Sequence, residues 1–105
     1  MKLVDYQNIH ATRLAHLILY AQSLGYQVSG GDWSVSEKDT VHSKNSLHKL
    51  RLATDLNLFR HGTWLQDTES HRPLGEYWEA MGGAWGGNFS KPDGNHYSTM
   101  YKGFK

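Results

Sequence analysis

The sequence predicts an α+β fold, a small antiparallel sheet packed with an N-terminal helix and a short second helix. Three observations carry that expectation. Apolar residues recur at three- and four-residue spacing through the first 25 residues. They alternate from Leu52 to Phe59 with the period of a strand. A segment opened by proline and stopped by paired glycines then precedes a last alternating stretch, so the order is helix, strand, strand, helix, strand.

In the first segment Ile9, Leu14, Leu17, Ile18, Ala21 and Leu24 form one stripe, with Asp5 as the expected N-cap and Gly25 as the residue that ends the helix. Tyr26-Gln27-Val28 alternates like a short strand. From Ser29 to Asn45 the chain is polar and carries Gly30-Gly31, which predicts a long loop, a candidate lid or substrate-binding wall. In the main strand Leu52, Thr54, Leu56 and Leu58 share the core face, and Asp55 points the other way with Asn57 beside it. His61-Gly62 turns the chain, and Thr63-Trp64-Leu65 returns as a strand. Pro73 to Met81 reads as the second helix, with Pro73 near its first position and Gly82-Gly83 as its stop. Trp85 and Gly86-Gly87 form a bend, Pro92-Asp93-Gly94-Asn95 a turn, and His96 to Tyr101 a terminal strand.

The 105 residues are expected to form a single domain over residues 1–105, burying roughly 65% of the surface of the unfolded chain. Cysteine is absent, so neither disulfides nor thiolate metal sites are available. A net charge of +1 with interleaved signs gives no electrostatic footprint for nucleic acid. Met1 to Asp5 lacks the apolar run of a signal peptide, and the longest apolar stretch falls far short of the roughly 20 residues that span a bilayer. A protein made in the cytoplasm, without membrane insertion, is expected. The oligomeric state stays open, with a monomer as the expectation.

Chemistry concentrates in two places. Ser46 to Asp55 contains His48 and Asp55, and Asp93-Gly94-Asn95-His96 adds a second imidazole and a second carboxylate. Two imidazoles and one carboxylate leave a position open on tetrahedral zinc, the mark of a catalytic rather than a structural ion. Spacing alone does not build such a site. His48 and Asp55 are seven residues apart, about 10 Å along a helix or about 23 Å along a strand, so the chain must double back between them. Ordinary readings exist for each residue: His48 on the surface before a strand, Asp55 paired with Arg51, His96 in a turn, and Asp93 serving the backbone of Pro-Asp-Gly. Five more histidines dilute the signal. His10 and His16 are expected on exposed or boundary faces of the first helix, His61 and His71 beside turns, and His42 in the polar loop.

The pattern Ser46-x-His48-x-x-Arg51-x-Ala53-x-Asp55 closely resembles the Ser-x-His-x-x-Gly-x-Ala-x-Asp signature of the zinc D-alanyl-D-alanine carboxypeptidases and the related L-alanyl-D-glutamate endopeptidases. Phage endolysins belong to this group, and Hedgehog domains share its fold. Asp93-x-x-His96 resembles the group's acidic-x-x-His motif, in the right order and about forty residues on. The runs Asp55 to Phe59, Pro73 to Glu79 and Trp85 to Phe89 are similar to a compact phage-type branch.

The resemblance implies a Hedgehog/DD-peptidase-like fold and a zinc peptidase catalytic domain. It makes His48, Asp55 and His96 the Zn2+ ligands, Asp93 the general base, and Ser46 a substrate contact. Arg51 stands where the signature more often has glycine, which predicts a turn that is less extreme or differently shaped. The arginine that many relatives carry near Gly31 to Ser34 is absent, and Arg51 is the candidate substitute. The implied substrate is the peptidoglycan stem peptide, cut as an endopeptidase or a carboxypeptidase. The implied setting is phage or prophage lysis, the enzyme reaching the cell wall after holin release. The alternative is a non-catalytic zinc-binding module of the same fold that binds the wall or a protein partner.

Overall fold

A computed structural model describes residues 1–31 and 47–105. The fold is α+β, with two helices against a small antiparallel sheet. Helix α1 runs Leu3–Ser23, strand β1 Gln27–Gly30, β2 Ala53–Arg60, β3 Thr63–Leu65, helix α2 Thr68–Ala80, β4 Ala84–Trp85 and β5 His96–Ser98. Two single turns of 3-10 helix, Leu47–Leu50 and Gly86–Asn88, precede β2 and follow β4.

Helix α1 begins earlier than expected. Lys2 is the N-cap, and Asp5 lies inside the first turn, its carboxylate accepting a 2.7 Å hydrogen bond from the Lys2 backbone N–H. The acid therefore answers an orphan donor and the positive end of the helix dipole rather than starting the helix. The far end is as predicted. Gly25 has φ +88° and donates to Gln22 O, and Tyr26 N–H donates to Ala21 O, a Schellman closure that only an unhindered residue makes without strain.

Strand β2 is the centre of the sheet, in the order β1-β2-β5-β4 with β3 also on β2. One edge of β2 pairs with β1, Val28 opposite Leu58. The other edge is shared: Ala53 to Asp55 pair with β5 and Leu58 to Arg60 with β3, leaving a gap at Leu56 and Asn57. Ser29 and Gly30, expected in the loop, belong to β1, because their backbone groups have Asn57 and Leu56 to pair with. Gly31 follows, its N–H donating to Asp55 O at 2.8 Å, and the rest of that expected loop, 32–45, lies outside the described residues.

Helix α2 also starts early. Asp67 caps it, its side chain accepting from Ser70 N–H at 3.0 Å, so Pro73 sits inside the helix rather than at its first position. Pro73 has no N–H for the carbonyl four residues back, a loss that a well-capped first turn can absorb. The terminal strand is shorter than predicted: Thr99 N–H still donates to Leu52 O, and beyond it the chain closes a turn in which Tyr101 and Phe104 bond to each other.

Leu56 and Leu58 meet Leu17 and Ala21 of α1, Leu74 and Trp78 of α2, and Trp85 and Tyr97, in one fully buried cluster. Each such side chain contributes roughly 1.5–3 kcal/mol by leaving water. Leu47, Leu52 and Ala53 form a second cluster with Leu3 and Tyr6, which anchors the 3-10 turn before β2 to α1.

Candidate metal centre

His48 sits in the 3-10 turn Leu47–Leu50, where Leu47 is buried and pulls the neighbouring imidazole inward. The turn closes on Arg51, whose N–H donates to His48 O while Leu52 N–H donates to Leu47 O. Here the chain doubles back, as a shared site for His48 and Asp55 requires. Arg51 has φ +58°, in the left-handed region. The arginine thus stands in a conformation that favours glycine, and it carries the strain.

Asp55 lies on the face of β2 opposite the leucines, directly across from His96 on β5. Nε2 of His48 is 3.4 Å from Asp55 Oδ1, and Nδ1 of His96 is 3.6 Å from the same oxygen. The three ligand atoms all lie within 4.8 Å of one another. A tetrahedral ion with arms of about 2.0–2.1 Å has edges of about 3.4 Å, so these separations fit a zinc ion. Asp55 Oδ1 and His96 Nε2 are buried with no hydrogen-bond partner among the described residues. An unanswered carboxylate oxygen aimed between two imidazoles is costly unless a cation completes it. Burial pushes the Asp55 carboxyl up, but the two imidazoles outweigh it and hold the group at about 2, so it is ionised. The described residues thus converge on one cluster of the composition expected for a three-ligand zinc site.

Asp93 comes to the same place from the turn before β5. Its Oδ2 is 4.0 Å from His96 Nδ1, and its side chain is half exposed. Burial and the charge of Asp55 raise its pKa, with the His96 and His48 imidazoles opposing. A carboxylate made more basic beside a cluster that could hold a metal suits proton transfer.

Two features of this wall carried only a weak signal in the sequence. Trp85 Nε1 donates to Gly94 O at 2.7 Å, fixing the turn that bears Asp93. Gly86 accepts from Asp93 N–H at 2.8 Å, and a Cβ on it would stand 2.1 Å from Asp93 O and 2.8 Å from His96 Cβ. The Trp85-Gly86-Gly87 run, legible only as a bend, is a mould for the Asp93–His96 turn.

The other expected residues fall elsewhere. Ser46 and His42 lie outside the described residues. Arg51 is exposed between the two proposed ligands of the first motif. His10 and His71 are buried, not surface or turn residues. His10 reaches Thr54 Oγ1 at 2.8 Å and Thr99 Oγ1 at 2.9 Å, beneath the metal face of the sheet.

Residues 40–99 match the family described as D-alanyl-D-alanine carboxypeptidase. The fold resembles the crystal structure of the Serratia marcescens L-Ala D-Glu endopeptidase ChiX, with a TM-score of 0.64 and 16% sequence identity. That alignment covers 85% of this chain and 79% of that one, and at this identity it speaks for the fold. No curated protein matches the chain in sequence.

Proposed function

Because the chain belongs to the D-alanyl-D-alanine carboxypeptidase family, we propose that it is a zinc-dependent peptidase that cleaves the stem peptides of peptidoglycan. The observation that carries the reading is the meeting of His48 Nε2, Asp55 Oδ1 and His96 Nδ1 around a point with room for a tetrahedral ion. In this reading those three residues are the ligands. A zinc ion held there supplies Lewis acidity, which activates water at neutral pH and polarises a scissile carbonyl.

The remaining work falls to the chain. Asp93 Oδ2 takes the proton of the attacking water and returns it to the leaving amine, a service typically worth about 10²–10⁴-fold. Its raised pKa makes it a better base than an exposed aspartate. Arg51, cationic and exposed beside His48, is the described residue suited to a substrate carboxylate, and Ser46 is assigned to hold the substrate near the metal. A binding module without hydrolysis has no use for Asp93, so the acid favours the enzyme. The reading extends to a phage or prophage lysis enzyme, let through to the wall by a holin. The support for that setting is the likeness of the Asp55 to Phe59 and Trp85 to Phe89 runs to the compact phage-type branch.

Asp93→Asn tests the assignment of the base. The variant is expected to bind one zinc per chain and lose about 10²-fold or more of its hydrolysis rate. Hydrolysis at the parent rate would remove Asp93 from the mechanism. His48→Ala and His96→Ala are expected to lose stoichiometric zinc, and an unchanged metal content would end the ligand assignment.

A further inference from the structure

The gap on β2 between β5 and β3 opens onto a cavity of about 140 Å3. It begins one residue beyond the Asp55–His96 pair, where Leu56 N–H donates to Asn95 O. Its polar lining is Asn57, Gln66, His71 and Asn95, with the half-exposed Trp64 as an aromatic wall. Asn57 shares the sheet face of Asp55, and Asn95 is the residue before His96. The cavity thus adjoins the proposed metal centre through both of its strands.

The chemistry of the lining is selective. His71 is buried within α2, and burial lowers its pKa to about 4, so it is neutral at physiological pH. Its Nδ1 lies 2.7 Å from the Tyr97 hydroxyl. That bond occupies Nδ1, so the neutral ring has Nε2 for a further hydrogen bond. Three carboxamides add both donors and acceptors. Among the described residues no lysine, arginine or carboxylate lines the space. A carboxylate entering it would shed water without meeting a counter-charge, which is costly, whereas a neutral amide finds donors and acceptors at no such cost.

We propose that this cavity is a subsite for an uncharged hydrogen-bonding group of the substrate, a primary carboxamide in preference to a carboxylate. The inference rests on the peptidase reading and deepens it: the chain favours stem peptides whose glutamyl carboxylate is amidated.

A matched pair of synthetic stem pentapeptides, L-Ala-D-Glu-L-Lys-D-Ala-D-Ala and its D-isoglutaminyl counterpart, which offer both candidate scissile bonds, tests this on the zinc-loaded full chain. Initial rates are measured together with NMR shifts of the Trp64 indole and of the Asn57, Gln66 and Asn95 side-chain amides. The amidated peptide is expected to move those resonances and to be cleaved about tenfold faster or more. His71→Phe is expected to abolish the preference. Asn57→Leu, which leaves the His71–Tyr97 pair in place, is expected to do the same if His71→Phe does not fold. Equal rates, a preference for the carboxylate, or a preference that survives Asn57→Leu would overturn the subsite. If neither peptide is cleaved while the amidated one alone moves the cavity resonances, the peptidase reading fails and the subsite stands. If neither is cleaved and neither moves them, both fail.

Discussion

Arg51 shows how a residue's place in a motif can be legible while its backbone conformation is not. Its position between His48 and Asp55 follows from the sequence, and so does the need for a reversal there. What the sequence does not reveal is that the surrounding bonds, Arg51 N–H to His48 O and Leu52 N–H to Leu47 O, impose a left-handed backbone whatever side chain occupies the site. An L-residue with a side chain pays roughly 1 kcal/mol or more in that region. Arg51→Gly is therefore expected to raise stability by up to about 1 kcal/mol, after the entropy glycine costs in the unfolded chain. Urea unfolding measures this, and a variant less stable than the parent would show that the arginine side chain makes contacts outweighing its strain. The same limit applied to His10 and His71. A histidine on an amphipathic helix carries no mark of burial until its partners arrive, Thr54 and Thr99 for one and Tyr97 for the other, from segments 26 to 89 residues away.

At the scale of elements, strand β2 was legible almost to the residue, because alternation is a local property and both its faces have definite fates. The starts of α1 and α2 were not, since each is decided by which carboxylate reaches which backbone N–H, Asp5 to Lys2 and Asp67 to Ser70. The β4–turn–β5 unit was the least legible. Two residues of strand followed by a 3-10 turn have no periodicity, yet this unit delivers both Asp93 and His96. Gly86 is its keystone. Gly86→Ala is expected to cost about 1–3 kcal/mol of stability, because the new Cβ would press on Asp93 O and His96 Cβ. Zinc affinity is expected to fall about tenfold or more as the ligand turn shifts. Competition with a chelator reads that affinity, and an unaltered value in a folded variant would deny Gly86 its positioning role.

For the molecule as a whole, both helices are pinned to the sheet by buried neutral histidines, α1 through His10 and α2 through His71. Burial lowers each to about 4 from an ordinary 6.5, with the Arg13 charge adding to the effect at His10. Above pH 6.5 neither the folded nor the unfolded chain protonates them. Between 6.5 and 4 the unfolded chain takes up protons that the folded chain refuses, so stability falls as pH falls through that window. The loss approaches roughly 3 kcal/mol per histidine and levels off below pH 4. His71→Phe and His10→Phe should each flatten their share of the slope, and a parent protein equally stable at pH 7 and pH 5 would contradict the assignment.

In the proposed reading, three side chains from two distant segments make a zinc centre that hydrolyses stem peptides. Mass spectrometry of purified peptidoglycan, digested with the zinc-loaded protein and with a chelator-treated control, tests it most directly. New peptide termini are expected to appear only with zinc. A new N-terminal D-glutamate would identify an endopeptidase, and free D-alanine a carboxypeptidase. Peptidoglycan left intact by a folded protein carrying one zinc per chain would contradict it.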